Sequence, residues 1–131
     1  MEKNVTLQHQ INKDAITIEE VKAFLDQFNT KMKIYGIKFR DDRQKNIQTL
    51  EQLELYPAFR KIVIESLVAE DYVTGPVIDA LNEMGEMWAF GKDVKEREVY
   101  IKITLGGVNQ QTICISFHIA EYPLEYAFKT A

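Results

Sequence analysis

Two stretches in the last third of the chain alternate between apolar and polar residues with a period of two. In residues 98–105 and again in 111–120, valine, isoleucine, leucine or phenylalanine occupies every second position. Because successive side chains of a strand point to opposite faces, each stretch predicts a strand with one apolar and one polar face. Gly106 and Gly107 stand between them and suit a turn, which indicates an antiparallel hairpin. The predicted polar face carries Tyr100, Lys102, Cys114, Ser116 and His118.

The start of the chain shows the spacing of an amphipathic helix followed by a short strand. Thr17 and Glu20 fit a capping box, in which each side chain satisfies a free backbone N–H of the first turn. Apolar residues then recur on one helical face, and Gly36 is placed to end the helix. Residues 37–40 alternate and predict a short strand.

Two shorter helices are predicted next. Asp41 or Asp42 is placed to cap the first of them, and Pro57 suits the opening turn of the second. The inner face of the first is expected to carry Ile47, Leu50 and Leu53. The apolar stripe of the second is expected to carry Phe59, Ile62, Val63 and Leu67.

The middle of the chain is less regular. The tripeptide Thr74-Gly75-Pro76 is typical of a break between elements. The spacing of the apolar residues after it is compatible with one helical turn, formed by Val77, Ile78 and Leu81. Residues 86–92 predict a strand with Trp88 and Phe90 on one face, either as a binding platform or, as the sequence favours, as core residues. The polar residues 92–96 predict a hairpin turn.

The order of these elements indicates an α+β domain. A helix, a strand, two helices and an antiparallel meander are expected to place the N-terminal helices on one face of a small antiparallel sheet. The 131 residues, 1–131, are expected to form one domain whose core needs no metal or disulfide. Residues 1–15 are polar and predict a loose arm, while the tail, residues 122–131, is expected to pack back on the domain.

Composition narrows the classes of function. A net charge of −4 does not favour non-specific nucleic-acid binding by the surface as a whole, and is compatible with a local basic patch. No stretch approaches the roughly 20 apolar residues of a membrane span, so no membrane partner is expected. A single cysteine predicts no internal disulfide and a cytoplasmic setting. No zinc-ligand spacing and no glycine-rich phosphate loop are present, so no metal and no cofactor are expected.

Three residues of the predicted polar face suit cleavage of RNA without a metal. This reaction needs a base for the ribose 2′-hydroxyl, a cation for the charged phosphorane and an acid for the leaving oxygen. His118 is suited to be base or acid because imidazole titrates near neutrality, and Lys102 is suited to be the cation. Tyr100 is suited to orient the substrate, to stack on a base or to act as a weak acid. The residues expected to bind RNA phosphates are Lys38, Arg40, Lys92, Lys95 and Arg97.

The same residues also have a plainer interpretation. Solvated faces of antiparallel sheets commonly carry tyrosine, lysine and threonine, which fit a half-wet pleated surface. Asp93, Glu96 and Glu98 are interleaved with the basic residues and weaken a phosphate-binding patch. Both interpretations fit the sequence.

The strand motifs EVYIKI at residues 98–103 and ICISFH at residues 113–118 resemble a known family. The chain is similar to the MqsR-type toxins of bacterial type II toxin–antitoxin systems, which have the RelE-like fold. The resemblance runs from about Ile18 to His118, and in the helical half it rests on the order of elements, ending near residues 70–72.

This resemblance implies an mRNA interferase, a small ribonuclease that is neutralised by a cognate antitoxin protein. A small, zinc-binding antitoxin fits the family analogy. Tyr100 falls on the active-site tyrosine of the family, and His118 falls where the toxins have a catalytic lysine. The further lysine and glutamine of the family have no equivalents, Thr74 and Ala89 being the nearest positions. These departures keep an alternative open, namely a non-catalytic RelE-like binding module that acts through a protein partner.

Overall fold

The computed structural model describes residues 16–78 and 85–129 and has the α+β architecture that the sequence predicts. Its helices are α1 (Ile18–Tyr35), α2 (Gln44–Leu53) and α3 (Phe59–Glu65), with a 3₁₀ turn at Ala69–Asp71. Its strands are β1 (Ile37–Phe39), β2 (Tyr72–Ile78), β3 (Glu86–Val94), β4 (Arg97–Thr104) and β5 (Thr112–Ile119). The sheet order is β1-β5-β4-β3-β2, with an antiparallel meander from β2 to β5 and β1 parallel beside β5. The predicted arm, residues 1–15, lies outside the described residues.

Helix α1 is bounded by the two signals that the sequence contains. The Glu20 amide donates to the Thr17 hydroxyl at 3.1 Å and the Thr17 amide donates to the Glu20 carboxylate at 2.9 Å, which confirms the capping box. Gly36 ends the helix with a φ of 86°, a left-handed conformation that glycine adopts without a steric cost.

One face of the sheet is covered by the N-terminal helices, as predicted. The rings of Phe24 in α1 and Trp88 in β3 stack with their centroids 4.5 Å apart, and Phe90 is fully buried. Trp88 and Phe90 are therefore core residues, as expected. The residues that α2 and α3 contribute to the same cluster are Leu53, Val63 and Ile64.

Strand β2 corrects the sequence interpretation of residues 74–78. The tripeptide Thr74-Gly75-Pro76 lies inside this strand, and Val77 and Ile78 are extended rather than helical. Leu81, the third residue of the predicted helical turn, lies outside the described residues. Proline is tolerated here because β2 is the last strand of the sheet order, where a missing N–H does not interrupt pairing between inner strands.

A β-bulge in β5 corrects the predicted polar face. Lys102 pairs with Ser116 whereas Ile103 pairs with Cys114, so Ile115 is an extra residue without a partner in β4. The bulge reverses the alternation, and Cys114 consequently belongs to the core cluster, with 1% of its surface exposed.

Helix α2 lacks the predicted aspartate cap. Arg43 occupies the N-cap position without a side-chain hydrogen bond. Asp41 instead binds Arg60 at 2.6 Å, and Asp42 binds Arg40. The predicted inner residues Leu50 and Leu53 are buried and Ile47 is partly buried, and the helix also buries the polar Asn46 and Thr49.

Helix α3 presents a different face to the core than its apolar stripe predicts. Arg60 is buried, with its guanidinium 3.9 Å from the centre of the Phe39 ring, and Val63 and Leu67 are buried as predicted. Phe59 and Ile62 are exposed over 38% and 58% of their surfaces. The helix face that buries the guanidinium is not the face of these two side chains, so they lie toward solvent. Pro57 precedes the helix, which begins at Phe59.

Candidate functional site

Tyr100 and His118 are direct cross-strand partners in β4 and β5. Their ring centroids are 5.4 Å apart, with an angle of 33° between the ring planes. Val99 and Ile101, the neighbours of Tyr100 in β4, are fully buried in the core. Because side chains alternate along a strand, Tyr100 and His118 point to the sheet face opposite α1.

Lys102 lies on the same face as this pair. It is the second residue after Tyr100 in β4 and pairs with Ser116 on one side and Ala89 on the other. All three predicted catalytic residues are partly buried. The structure thus brings Tyr100, Lys102 and His118 together on one face.

His118 stands between two cavities. The first, the aromatic cavity, has a volume of about 210 Å³. Its walls are Tyr100, His118, Ala120, Glu121, Tyr122 and Leu124. The second, the polar cavity, has a volume of about 180 Å³. Its walls are Lys45, Gln48, Thr49, Gln52, His118, Ile119 and Glu121. His118 and Glu121 belong to both, so together they form a ridge between the two spaces.

The hydrogen bonding of His118 favours one tautomer. Its Nδ1 atom lies 3.0 Å from the carbonyl oxygen of Ile119. A carbonyl oxygen only accepts, so Nδ1 carries the proton in this contact. In the neutral ring Nε2 is then unprotonated and able to accept a proton.

Nearby groups set the protonation states of Tyr100 and Glu121, which both lie beside His118. Burial raises the pKa of Tyr100, with a smaller contribution from Tyr122, so its phenol is protonated at neutral pH. The ion pair with Lys45 lowers the pKa of Glu121, and His118 adds a small effect in the same direction. An ionised carboxylate therefore lies beside the imidazole.

Two of the lysines expected to bind RNA are engaged within the fold. Lys92 pairs with Val99 in register and so points to the core side of the sheet, where it donates to Asp71 at 3.0 Å. Lys95 donates to the Leu53 carbonyl at 2.9 Å, at the C-terminal end of α2. Such a position favours a cation because the helix dipole is negative there. Neither ammonium is brought to the face of Tyr100.

The other three residues expected to bind RNA differ in position. Arg97, at the start of β4, is exposed and by alternation points away from the Tyr100 face. Lys38 is exposed in β1 and, through its pairing with β5, lies on the Tyr100 face two strands away from β4. Arg40 makes two hydrogen bonds of 2.9 Å with Asp42. These hydrogen bonds lower the pKa of Asp42 to about 2.

The first part of the tail lies on the same face of the sheet as Tyr100 and His118. The Tyr126 hydroxyl donates to Glu98 at 2.6 Å, and the Leu124 amide donates to the other oxygen of that carboxylate at 3.1 Å. Farther along, the rings of Phe128 and Tyr72 lie 5.5 Å apart. These contacts show the tail packed back on the domain and hold Glu121 and Tyr122 beside His118.

The sequence interpretation did not include the residues that α2 and the tail contribute to the two cavities. Lys45, Gln48 and Gln52 have the spacing of one polar helix face, which is a weak signal in the sequence. Nothing in the local sequence indicates that this face borders His118. Nothing in the local sequence indicates that Tyr122, which is 71% exposed, borders His118 either.

No family model, no curated protein and no solved structure matches the chain. Within residues 16–78 and 85–129, no group of three or more His, Cys, Asp or Glu side chains is arranged to hold a metal ion. In the same part of the chain, no helix has the length and apolar character needed to cross a membrane.

Proposed function

We propose that the chain is a toxin-like mRNA interferase, a metal-independent ribonuclease of a bacterial toxin–antitoxin pair with a RelE-like fold. The observation that carries the proposal is the placement of Tyr100 against His118 at the border of two cavities, with Lys102 on the same face. An imidazole, a protonated phenol and an ammonium are suited to be the base, the acid and the cation that cleavage of RNA by its own 2′-hydroxyl requires.

The proposed reaction begins at His118. Its unprotonated Nε2 takes the proton of the ribose 2′-hydroxyl, and the oxygen attacks the neighbouring phosphorus. Lys102 stabilises the negative charge of the phosphorane. The bond from phosphorus to the 5′ oxygen breaks, and that oxygen takes the proton of the Tyr100 phenol. The products are a 2′,3′-cyclic phosphate and a 5′-hydroxyl.

A last proton transfer between the two neighbouring side chains completes the proposed cycle. After the reaction His118 is an imidazolium and Tyr100 is a phenolate, and their centroids are 5.4 Å apart. Burial disfavours the phenolate, so a proton passes from the imidazolium to the phenolate oxygen. This return restores both starting states without any further residue.

A second candidate function is the non-catalytic RelE-like module that binds a protein partner, such as a cognate antitoxin. Two observations favour it. The net charge of −4 disfavours RNA, and α3 exposes the apolar Phe59 and Ile62. This module would form a stable complex and leave RNA intact.

The two functions are separated by induced expression of the wild type, His118→Ala and Tyr100→Phe, with Tyr56→Phe as the control. Growth, bulk mRNA integrity and cleavage of single-stranded RNA by purified protein in EDTA are measured. We expect growth arrest, mRNA loss and cyclic-phosphate ends from the wild type and control, and a loss of rate on the order of 100-fold or more in both site variants. Unaffected growth and intact RNA with folded wild-type protein would contradict the nuclease and leave the binding module.

A further inference from the structure

The two cavities beside His118 differ in chemistry although they share a wall. The polar cavity is bordered by an ammonium and two side-chain amides, those of Lys45, Gln48 and Gln52. The aromatic cavity is bordered by the rings of Tyr100 and Tyr122. An RNA chain offers the same two chemistries in alternation, since each charged phosphate is followed by a base with a π-face.

The cation of the polar cavity, Lys45, is paired with a carboxylate that a phosphate could replace. Lys45 forms an ion pair with Glu121, and the two side chains are 60% and 55% exposed. Exposed pairs of this kind add little to stability, so replacing the carboxylate with a phosphate is inexpensive.

The aromatic cavity presents a ring that the fold does not need for its core. Tyr122 is 71% exposed, yet it lies near enough to Tyr100 to affect the pKa of that phenol. An exposed aromatic ring beside a cation is the usual platform for single-stranded nucleic acid, because any base can stack on it. A paired base is already stacked within its duplex and cannot enter such a cavity.

We propose that the two cavities are adjoining subsites for single-stranded RNA, in which a base stacks on Tyr122 while a neighbouring phosphate replaces Glu121 at Lys45. The chain of the RNA then crosses the ridge over His118. This inference rests on the proposed ribonuclease function and specifies its substrate as unpaired RNA. Glu121 competes with the RNA for Lys45, so it limits the affinity of the site.

Because Lys45 and Glu121 have opposite charges, removing each charge should change the RNA affinity in opposite directions. The probe is a fluorescein-labelled, mixed-sequence 15-mer RNA with 2′-O-methyl groups at every position, which cannot be cleaved. Its unmodified form serves as the cleavage substrate. Dissociation constants of the wild type, Lys45→Gln, Glu121→Gln and Tyr122→Ala are measured by fluorescence anisotropy across a salt series. The matched controls are Lys22→Gln on α1, across the sheet, and the exposed Tyr56→Ala.

Each variant has its own expected result. Lys45→Gln weakens binding and reduces the slope of log affinity against log salt by about 0.7, the value for one lost phosphate contact on a single strand. Glu121→Gln tightens binding several-fold, because the competing carboxylate is gone. Tyr122→Ala weakens binding on the order of 10-fold with the salt slope unchanged. The two controls bind like the wild type, and the probe annealed to its complement binds at least 10-fold more weakly.

Other outcomes overturn the inference. If Lys45→Gln and Glu121→Gln both weaken binding to the same degree, their ion pair only anchors the tail. If the wild type cleaves the unmodified RNA and all three variants bind like the wild type, the subsites lie elsewhere and the ribonuclease function stands. If the wild type neither binds the probe nor cleaves RNA, the ribonuclease function itself fails. Thermal melting of every variant shows that it is folded.

Discussion

The side-chain amide of Asn46 in α2 is hydrogen-bonded to the backbone of Phe117 in β5. Its Oδ1 accepts from the Phe117 amide at 3.0 Å, and its Nδ2 donates to the carbonyls of Ile115 at 3.0 Å and Arg40 at 2.9 Å. β1 pairs only with residues 112–114 of β5, so this side chain provides the hydrogen bonds that a longer β1 would have made. A helix thereby closes the edge of the sheet next to His118.

Replacing Asn46 with alanine should lower the free energy of unfolding by about 3 kcal/mol. The substitution leaves a buried amide and a buried carbonyl of β5 without partners, and each such group costs about 1–3 kcal/mol. Urea titrations of the variant and of Gln48→Ala, an exposed position of the same helix, measure the difference. A loss below about 0.5 kcal/mol in Asn46→Ala would show that water replaces the amide.

Replacing Arg60 with lysine should cost about 1–2 kcal/mol although the charge is kept. The guanidinium makes two bonds to Asp41 and stacks on Phe39, and an ammonium can reproduce neither geometry. Lys61→Arg, at the exposed next position, is the matched control and should change stability by less than about 0.5 kcal/mol. Equal unfolding midpoints for the wild type and Arg60→Lys would refute the stacking role.

Replacing Gly91 with alanine should release the tail from the sheet. A Cβ at this position would overlap the Tyr126 hydroxyl and lie 2.7 Å from Leu124 Cδ1, so the tyrosine must leave Glu98. Tyr126→Phe removes the same hydrogen bond. The two substitutions should therefore be non-additive, the double variant being more stable than the sum of the single losses predicts. Additive losses in a double-mutant cycle would mean that the tail adjusts without losing this bond.

The same hydrogen bond should give the protein a component of stability that is lost at alkaline pH. Burial, and next the contact with Glu98, raise the pKa of Tyr126 above its usual value near 10. The unfolded state then loses the phenolic proton first as the pH rises, and deprotonation favours unfolding. The stability difference between the wild type and Tyr126→Phe should be constant from about pH 7 to 9 and should shrink above about pH 10. If the stability difference between the wild type and Tyr126→Phe grew as the pH rose, the raised pKa of Tyr126 would not be its cause.

The Cys114 thiol should react only when the protein unfolds. Burial raises its pKa to about 12, and only 1% of its surface is exposed, so very little thiolate exists at pH 8 and reagents cannot reach it. Labelling by a chromogenic disulfide reagent should proceed at the rate of unfolding, with urea-denatured protein as the fast control. Labelling within seconds in native buffer would place the thiol at the surface.

Features that depend on neighbours in sequence were predictable. The capping box at Thr17 and the ending at Gly36 are set by residues within one helical turn, and the structure has both. The alternation around Tyr100 likewise predicts β4 and the face that its side chains share. These signals are local, and no distant contact overrides them.

Features that depend on distant partners were not predictable. The bulge at Ile115 shifts Cys114 into the core, and the buried Arg60 turns Ile62 outward, both because of packing with other elements. At the site, Lys45 reaches His118 only through the edge contact of α2 with β5, and Tyr122 only through the path of the tail. The pattern of residues within one element does not show which surfaces of distant elements pack together.

The parallel pairing of β1 with β5 also sets an order for assembly during synthesis. Residues 37–39 pair with residues 112–114, so the first strand finds its place only after the residues up to 114 have left the ribosome. Helix α2 depends on the same late strand through Asn46 and Thr49. A nascent chain that stops before residue 112 therefore contains the helices but neither the closed sheet edge nor the two cavities around His118. Translation that ends early yields a product that cannot build this site.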